Sequence, residues 1–112
     1  MNVFFDVQGT LVSGGTPRPH AREVFEELEY LGHHVYLWSS AGSAYAARAA
    51  KLLDLEDIVY GCFGKNDPVP VTVDFVVDDQ PGIVGRYGGY EISPFDGDPD
   101  DRELYRAVES LR

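Results

Sequence analysis

The chain has one cysteine, one methionine and only nine basic residues, and it contains no apolar stretch long enough to cross a bilayer. A single thiol, Cys62, excludes an internal disulfide. Its flanks Val59, Tyr60 and Phe63 predict a small core residue on a buried strand of a reduced, cytosolic protein. Nineteen acidic residues against the nine basic ones leave a net charge of −10, and no basic patch interrupts it. That balance repels phosphate backbones and anionic surfaces, so neither nucleic acid nor membrane is an expected partner. The opening MNVFFDV has no basic segment followed by a long apolar one, so no signal peptide is expected and the cytoplasm is the expected location. There is no internal repeat, and a length of 112 residues suits a single domain over 1–112.

What is present alternates between two periods. NVFFDV is a short apolar run ending in an acid, as expected of a central parallel strand covered on both faces. SGGTPRP, residues 13–19, has loop composition. Ala21, Val24, Phe25, Leu28 and Leu31 then recur at helical spacing and stop at Gly32. HVYLWSS predicts a second strand, and the alanine-rich stretch from Ser43 to Leu53 a helix able to lie close on a sheet. DIVYGCF, VDFVVDD and YEISPF predict three more strands, the last at an edge because Pro94 cannot donate to a ladder. Asp98, Pro99 and Asp101 read as the start of a final helix, with Leu104, Ala107, Val108 and Leu111 as its buried face. The excess acid between 91 and 103 reads as a solvated loop leading into that helix.

Strands alternating with helices predict an α/β fold with a central parallel sheet and helices on both faces. Ligands of such folds bind outside the carboxyl ends of the strands. Those ends carry Asp6, Ser39 with Ser40, and the pair Asp78 and Asp79, and Lys65 follows the third strand. Carboxylates converging beside a hydroxyl and a lysine suit Mg²⁺ together with an anionic group that the metal also touches. Asp6 is then placed to attack phosphorus while the cations neutralise the phosphoryl oxygens, and Gly9 suits a turn that brings backbone close to the ligand.

The succession DVQGTLV, VYLWSS, the lysine of FGKND, and VDFVVDDQP resembles the four motifs of the haloacid dehalogenase (HAD) superfamily, in the same order and over residues 1–94. The resemblance implies a three-layer Rossmann-like sheet of about five strands in the order 5-4-1-2-3. It implies Asp6 as nucleophile, and Ser39 and Lys65, with Ser40 beside them, as phosphate ligands. It also implies Mg²⁺ held by Asp6, the Gln8 carbonyl and the acid pair, with Asp79 as direct ligand and Asp78 supporting it. The short spacings between motifs leave no room for a cap domain, and capless members often act on large phosphorylated substrates or recruit a second chain as a lid.

Gln8 departs from that pattern. Phosphatases of the superfamily have an aspartate there, which protonates the leaving oxygen and then activates water, and an amide does neither. Three readings follow: a slow or silent site that still binds Mg²⁺ and a phosphorylated ligand; different chemistry, such as carbon-halogen or carbon-phosphorus cleavage; or another proton donor, for which His20 is the candidate. The acid pair weighs against a metal-free dehalogenase, because carboxylates facing Asp6 without a cation repel one another. The expected function is a phosphatase or phosphotransferase of weakened activity acting on a phosphorylated small molecule or macromolecule, the alternative being a catalytically silent phosphate-binding or regulatory domain. Lys51, His33, His34 and Trp38 are expected to be surface or core residues without a role in the site.

Overall fold

A computed structural model describes residues 1–112. Its elements, in chain order, are β1 (Asn2–Asp6), β2 (Val12–Ser13), β3 (Thr16–Pro17), α1 (Ala21–Tyr30), β4 (His34–Ser39), α2 (Ser43–Leu52), β5 (Gly61–Gly64), β6 (Phe75–Asp78), α3 (Pro81–Tyr87), β7 (Gly89–Glu91) and α4 (Glu103–Glu109). β1 sits at the centre because its residues are buried on both faces: Val3, Phe4 and Phe5 have no exposed surface. Every pairing in the large sheet is parallel, in the order β5-β4-β1-β6-β7. The numbering differs from the expected 5-4-1-2-3 because β2 and β3 form a separate antiparallel ribbon inside the stretch expected to be loop. Counted within the large sheet alone, the strands run 3-2-1-4-5 from the β5 edge, and β7 lies at the opposite edge.

Side chains alternate across the sheet with the strand period of two. Val3 and Phe5 join the principal core with Val24, Phe25 and Leu28 of α1, Ala46, Ala49 and Ala50 of α2, and Leu104, Ala107 and Val108 of α4. Phe4 points to the other face, where it packs with Tyr36, Trp38 and Val76 beneath Val69, Val71, Val73 and the side chains of α3. Phe4 and Tyr36 stack there at 4.7 Å between ring centroids. The two faces are therefore covered unequally. Three helices lie on one, and only the seven-residue α3 and an irregular strap over 66–74 lie on the other.

Two local expectations are corrected, and one helix is added that the sequence did not predict. The third strand of the sequence reading, DIVYGCF, pairs only from Gly61, since Ile58 and Val59 turn back to hydrogen-bond the Leu55 carbonyl. α3 is formed by PGIVGRY, whose two internal glycines weaken the helical signal; Pro81 fits its first turn because the missing N–H has no helical partner there. The last helix begins at Glu103 and not at Asp98. The Asp96 and Asp98 carboxylates instead accept the backbone N–H two residues on, closing successive turns, and these local bonds compete with a helix.

Candidate functional site

Strand register sets the site. Asp6 of β1 is level with Trp38 of β4, so Ser39 ends its strand one residue further out. Phe5 is level with Val77, which brings Asp78 alongside Asp6, and Ser39 is level with Gly64, which puts Lys65 at the same edge. Asp6, Asp78 and Asp79 each offer an oxygen within 4.8 Å of the others. Lys65 Nζ lies 3.0 Å from Asp6 Oδ1 and donates to Asp78 Oδ2 at 2.8 Å. Sequence reasoning thus placed these four groups together correctly.

The acids differ in their surroundings. Asp78 has no exposed surface, and both its oxygens are engaged, Oδ2 by Lys65 and Oδ1 by the Gln80 N–H at 2.9 Å. Asp79 is half-buried and reaches toward the loop after β1. Burial, and next the Asp78 charge, push the Asp6 carboxyl up to about 7, against the pull of Lys65. Burial opposes the Lys65 ammonium, yet its bonds to Asp78 and Asp6 outweigh that and raise its pKa. Three carboxylates beside one ammonium leave excess negative charge, and the donor set is all hard oxygen. Both features fit a hard divalent cation.

The loop after β1 is tightly specified. The Val7 carbonyl accepts the N–H groups of Thr10, Leu11 and Val12, and none of the loop's backbone bonds ends on the Gln8 carbonyl. Gly9 has φ 85°, and a Cβ there would stand 2.5 Å from Asp79 Oδ2, so the loop approaches the acid pair only because this residue has no side chain. Gln8 is exposed, and its Oε1 accepts the Tyr45 hydroxyl of α2 at 3.1 Å.

Ser39 is buried, its Oγ accepts the Ala41 N–H at 3.0 Å, and its carbonyl accepts the Lys65 N–H. Ser40 is exposed and makes no side-chain hydrogen bond, and α2 is preceded by Gly42 without a side-chain cap. His20 is turned to other partners: its Nδ1 is 2.9 Å from the Tyr105 hydroxyl and its ring lies against Tyr105. Lys51 and His34 are exposed, and Trp38 is buried with its indole N–H unpartnered.

Three residues of the site were not found from sequence. Thr10 is fully buried and donates its hydroxyl to Asp6 Oδ2 at 3.2 Å. Tyr45 holds Gln8. Arg18, read as part of a loop, has a fully buried guanidinium in which Nε and one Nη grip Asp101 at 2.9 Å each, while the Nη atoms donate to the Thr10 and Ser93 carbonyls. Phe95 lies over the same guanidinium, and its N–H donates to the Gly9 carbonyl at 2.8 Å. Arg18 therefore binds the loop after β1 to the chain segment leading into α4. The one spacing signal for any of these was Thr10, four residues beyond Asp6.

A separate surface cavity lies along α4, lined by Arg102, Tyr105, Arg106, Glu109 and Arg112, and it shares no residue with the carboxylate cluster. No helix of the chain is long and apolar enough to cross a membrane. The chain matches no family model and no curated protein sequence.

Proposed function

We propose that the protein is a capless HAD-like phosphoryl-handling domain that uses Mg²⁺, with Asp6 as nucleophile. The observation that carries this reading is the clustering of Asp6, Asp78 and Asp79 with Lys65 bridging two of them, at the carboxyl edge of a parallel sheet. Mg²⁺ would be held by Asp6, the Gln8 carbonyl and Asp79, because, of the acid pair, Asp79 is the half-buried member beside the loop, whereas Asp78 has no exposed surface. When bound, the ion supplies neutralisation of phosphoryl oxygens. Lys65 adds a second positive charge beside Asp6, and Ser39 and Ser40 lie at the adjoining strand end, where hydroxyls can donate to the same group. Between β1 and β4 lie only the β2-β3 ribbon and α1, so no cap is inserted there. The substrate side is therefore open enough for a phosphorylated small molecule or macromolecule.

Gln8 favours a second reading, a silent phosphate-binding or regulatory domain, because its amide cannot exchange a proton with a leaving group. Hydrolysis of p-nitrophenyl phosphate with Mg²⁺, abolished in Asp6→Asn, supports the enzyme and removes the silent reading. Calorimetry separates metal binding from turnover. Heat on adding Mg²⁺ that disappears in Asp79→Asn supports the metal site, and no heat in either protein sinks it.

A further inference from the structure

Gln8 lies in the loop after β1, next to Gly9 at the acid pair, and its side chain is held. Tyr45, in the first turn of α2, donates to Gln8 Oε1 at 3.1 Å while its ring packs on the principal core. With its oxygen turned toward Tyr45, the amide has its two N–H donors left to face other partners. The other polar groups around Asp6 are committed too, apart from the Asp79 carboxylate, which the reading above gives to the ion. Thr10 donates to Asp6 Oδ2, Lys65 is shared with Asp78, Asp78 also accepts the Gln80 N–H, and His20 faces Tyr105. Residue 8 can thus stabilise an anionic oxygen, but it has no proton to give or take.

We propose, resting on the phosphoryl reading above, that the Tyr45-Gln8 pair makes this site a phosphoryl acceptor for donors whose leaving group departs as a stable anion, acyl phosphates being the class. The site then keeps the phosphoryl group on Asp6. In the forward step an Asp6 carboxylate oxygen forms a new bond to phosphorus as the bond to the donor's bridging oxygen breaks. The electron pair of the broken bond leaves on the departing carboxylate, which needs no proton. An alkyl phosphate would have to expel an alkoxide, and residue 8 has no proton for it. Hydrolysis of the resulting acyl phosphate on Asp6 needs an attacking water to lose a proton, and the same residue is unable to accept it. Tyr45 is a positioning residue: it turns the Gln8 N–H groups, rather than the oxygen, toward the phosphoryl group, where an oxygen would repel it.

The test incubates the full chain and Mg²⁺ with acetyl phosphate or with glycerol phosphate, following intact-protein mass and phosphate release. Acetyl phosphate should add the mass of one phosphoryl group, absent in Asp6→Asn, whereas glycerol phosphate should give neither adduct nor phosphate. Gln8→Asp should shorten the adduct's lifetime by ~10²–10⁴-fold and admit glycerol phosphate, the range expected for restoring an acid/base group. Tyr45→Phe should slow adduct formation severalfold at unchanged melting temperature and leave the adduct long-lived; an unaltered formation rate overturns the positioning role. Equal turnover of the two donors by the unmodified protein overturns the leaving-group selectivity, and release of phosphate from acetyl phosphate without a trapped adduct overturns retention. If neither donor leaves adduct or phosphate and Mg²⁺ gives no heat, the phosphoryl reading itself falls, and this proposal falls with it.

Discussion

Single residues at the carboxyl edge are held against their own electrostatic preference, and this makes them testable without a substrate. Asp6 carries a folded-state pKa of about 7, above its unfolded value of 3.8. Between those values the folded protein binds more protons than the unfolded one, so stability falls as pH rises through that window. Asp6→Asn keeps the shape and removes the charge. It should therefore raise the melting temperature of the metal-free protein at about pH 8 and change it little at about pH 4, where both proteins carry a neutral group. Equal gains at both pH values would show that burial of the Asp6 charge is not what costs stability. Lys65 predicts the opposite effect. Its removal leaves the fully buried Asp78 without a counter-charge, so Lys65→Met should cost about 3–5 kcal/mol, the range for breaking a buried pair. Saturating Mg²⁺ should restore part of that loss by supplying the missing positive charge, and thermal melts with and without the ion check both halves.

These strand-end residues were legible because parallel strands carry their carboxyl ends to one edge, and that rule needs only the strand positions. Asp6, Lys65, Asp78 and Asp79 met as the sequence implied. Thr10, Arg18 and Tyr45 were not legible because the destination of each side chain is set by distant parts of the chain: Arg18 is held by Asp101, and Tyr45 reaches Gln8 from a different helix.

At the scale of elements, the sheet and the helices α1, α2 and α4 followed from hydrophobic period, while the other short pieces followed from contacts that no local pattern records. α3 forms although Gly82 and Gly85 disfavour a helix, because Ile83, Val84 and Tyr87 close over Phe4, Trp38 and Val76. α4 starts late because Asp101, read as part of the helix's first turn, is drawn to Arg18 and uses Oδ1 to accept the Glu103 N–H at 3.0 Å. The edge pairing of β7 on β6 rests on Gly89. A Cβ there would stand 1.9 Å from the Val76 carbonyl oxygen and 2.7 Å from the Val76 nitrogen, both of them backbone atoms that cannot yield. Gly89→Ala should therefore lift β7 away and destabilise by at least about 1–3 kcal/mol, as overpacking does. Hydrogen exchange should show lost protection at Ile92, whose N–H donates to the Asp78 carbonyl. Protection unchanged from the parent would mean that the edge strand has found another register.

For the whole molecule the governing quantity is charge. A net −10 on 112 residues, with a sequence pI near 4.5, means that the folded surface repels itself at neutral pH and barely at all near pH 4.5. Sodium chloride shortens the screening length from about 10 Å at 0.1 M to about 3 Å at 1 M, which weakens that repulsion. The melting temperature should therefore rise with salt at neutral pH and respond little near the pI. Mg²⁺ screens in the same general way, but a bound ion also stabilises by an amount that grows as RT ln(1 + [L]/Kd), at concentrations too low to alter screening. The two contributions separate in one experiment. In a constant high background of sodium chloride, millimolar Mg²⁺ should still raise the melting temperature of the parent chain. Asp79→Asn should lose that increment while keeping its full response to sodium chloride, because one carboxylate of nineteen acidic groups hardly alters the overall repulsion but removes the oxygen assigned to the ion. If Asp79→Asn keeps the Mg²⁺ increment as well, the ion is acting on the diffuse surface charge, and the cluster of Asp6, Asp78 and Asp79 is an acid group whose charge is balanced by Lys65 alone.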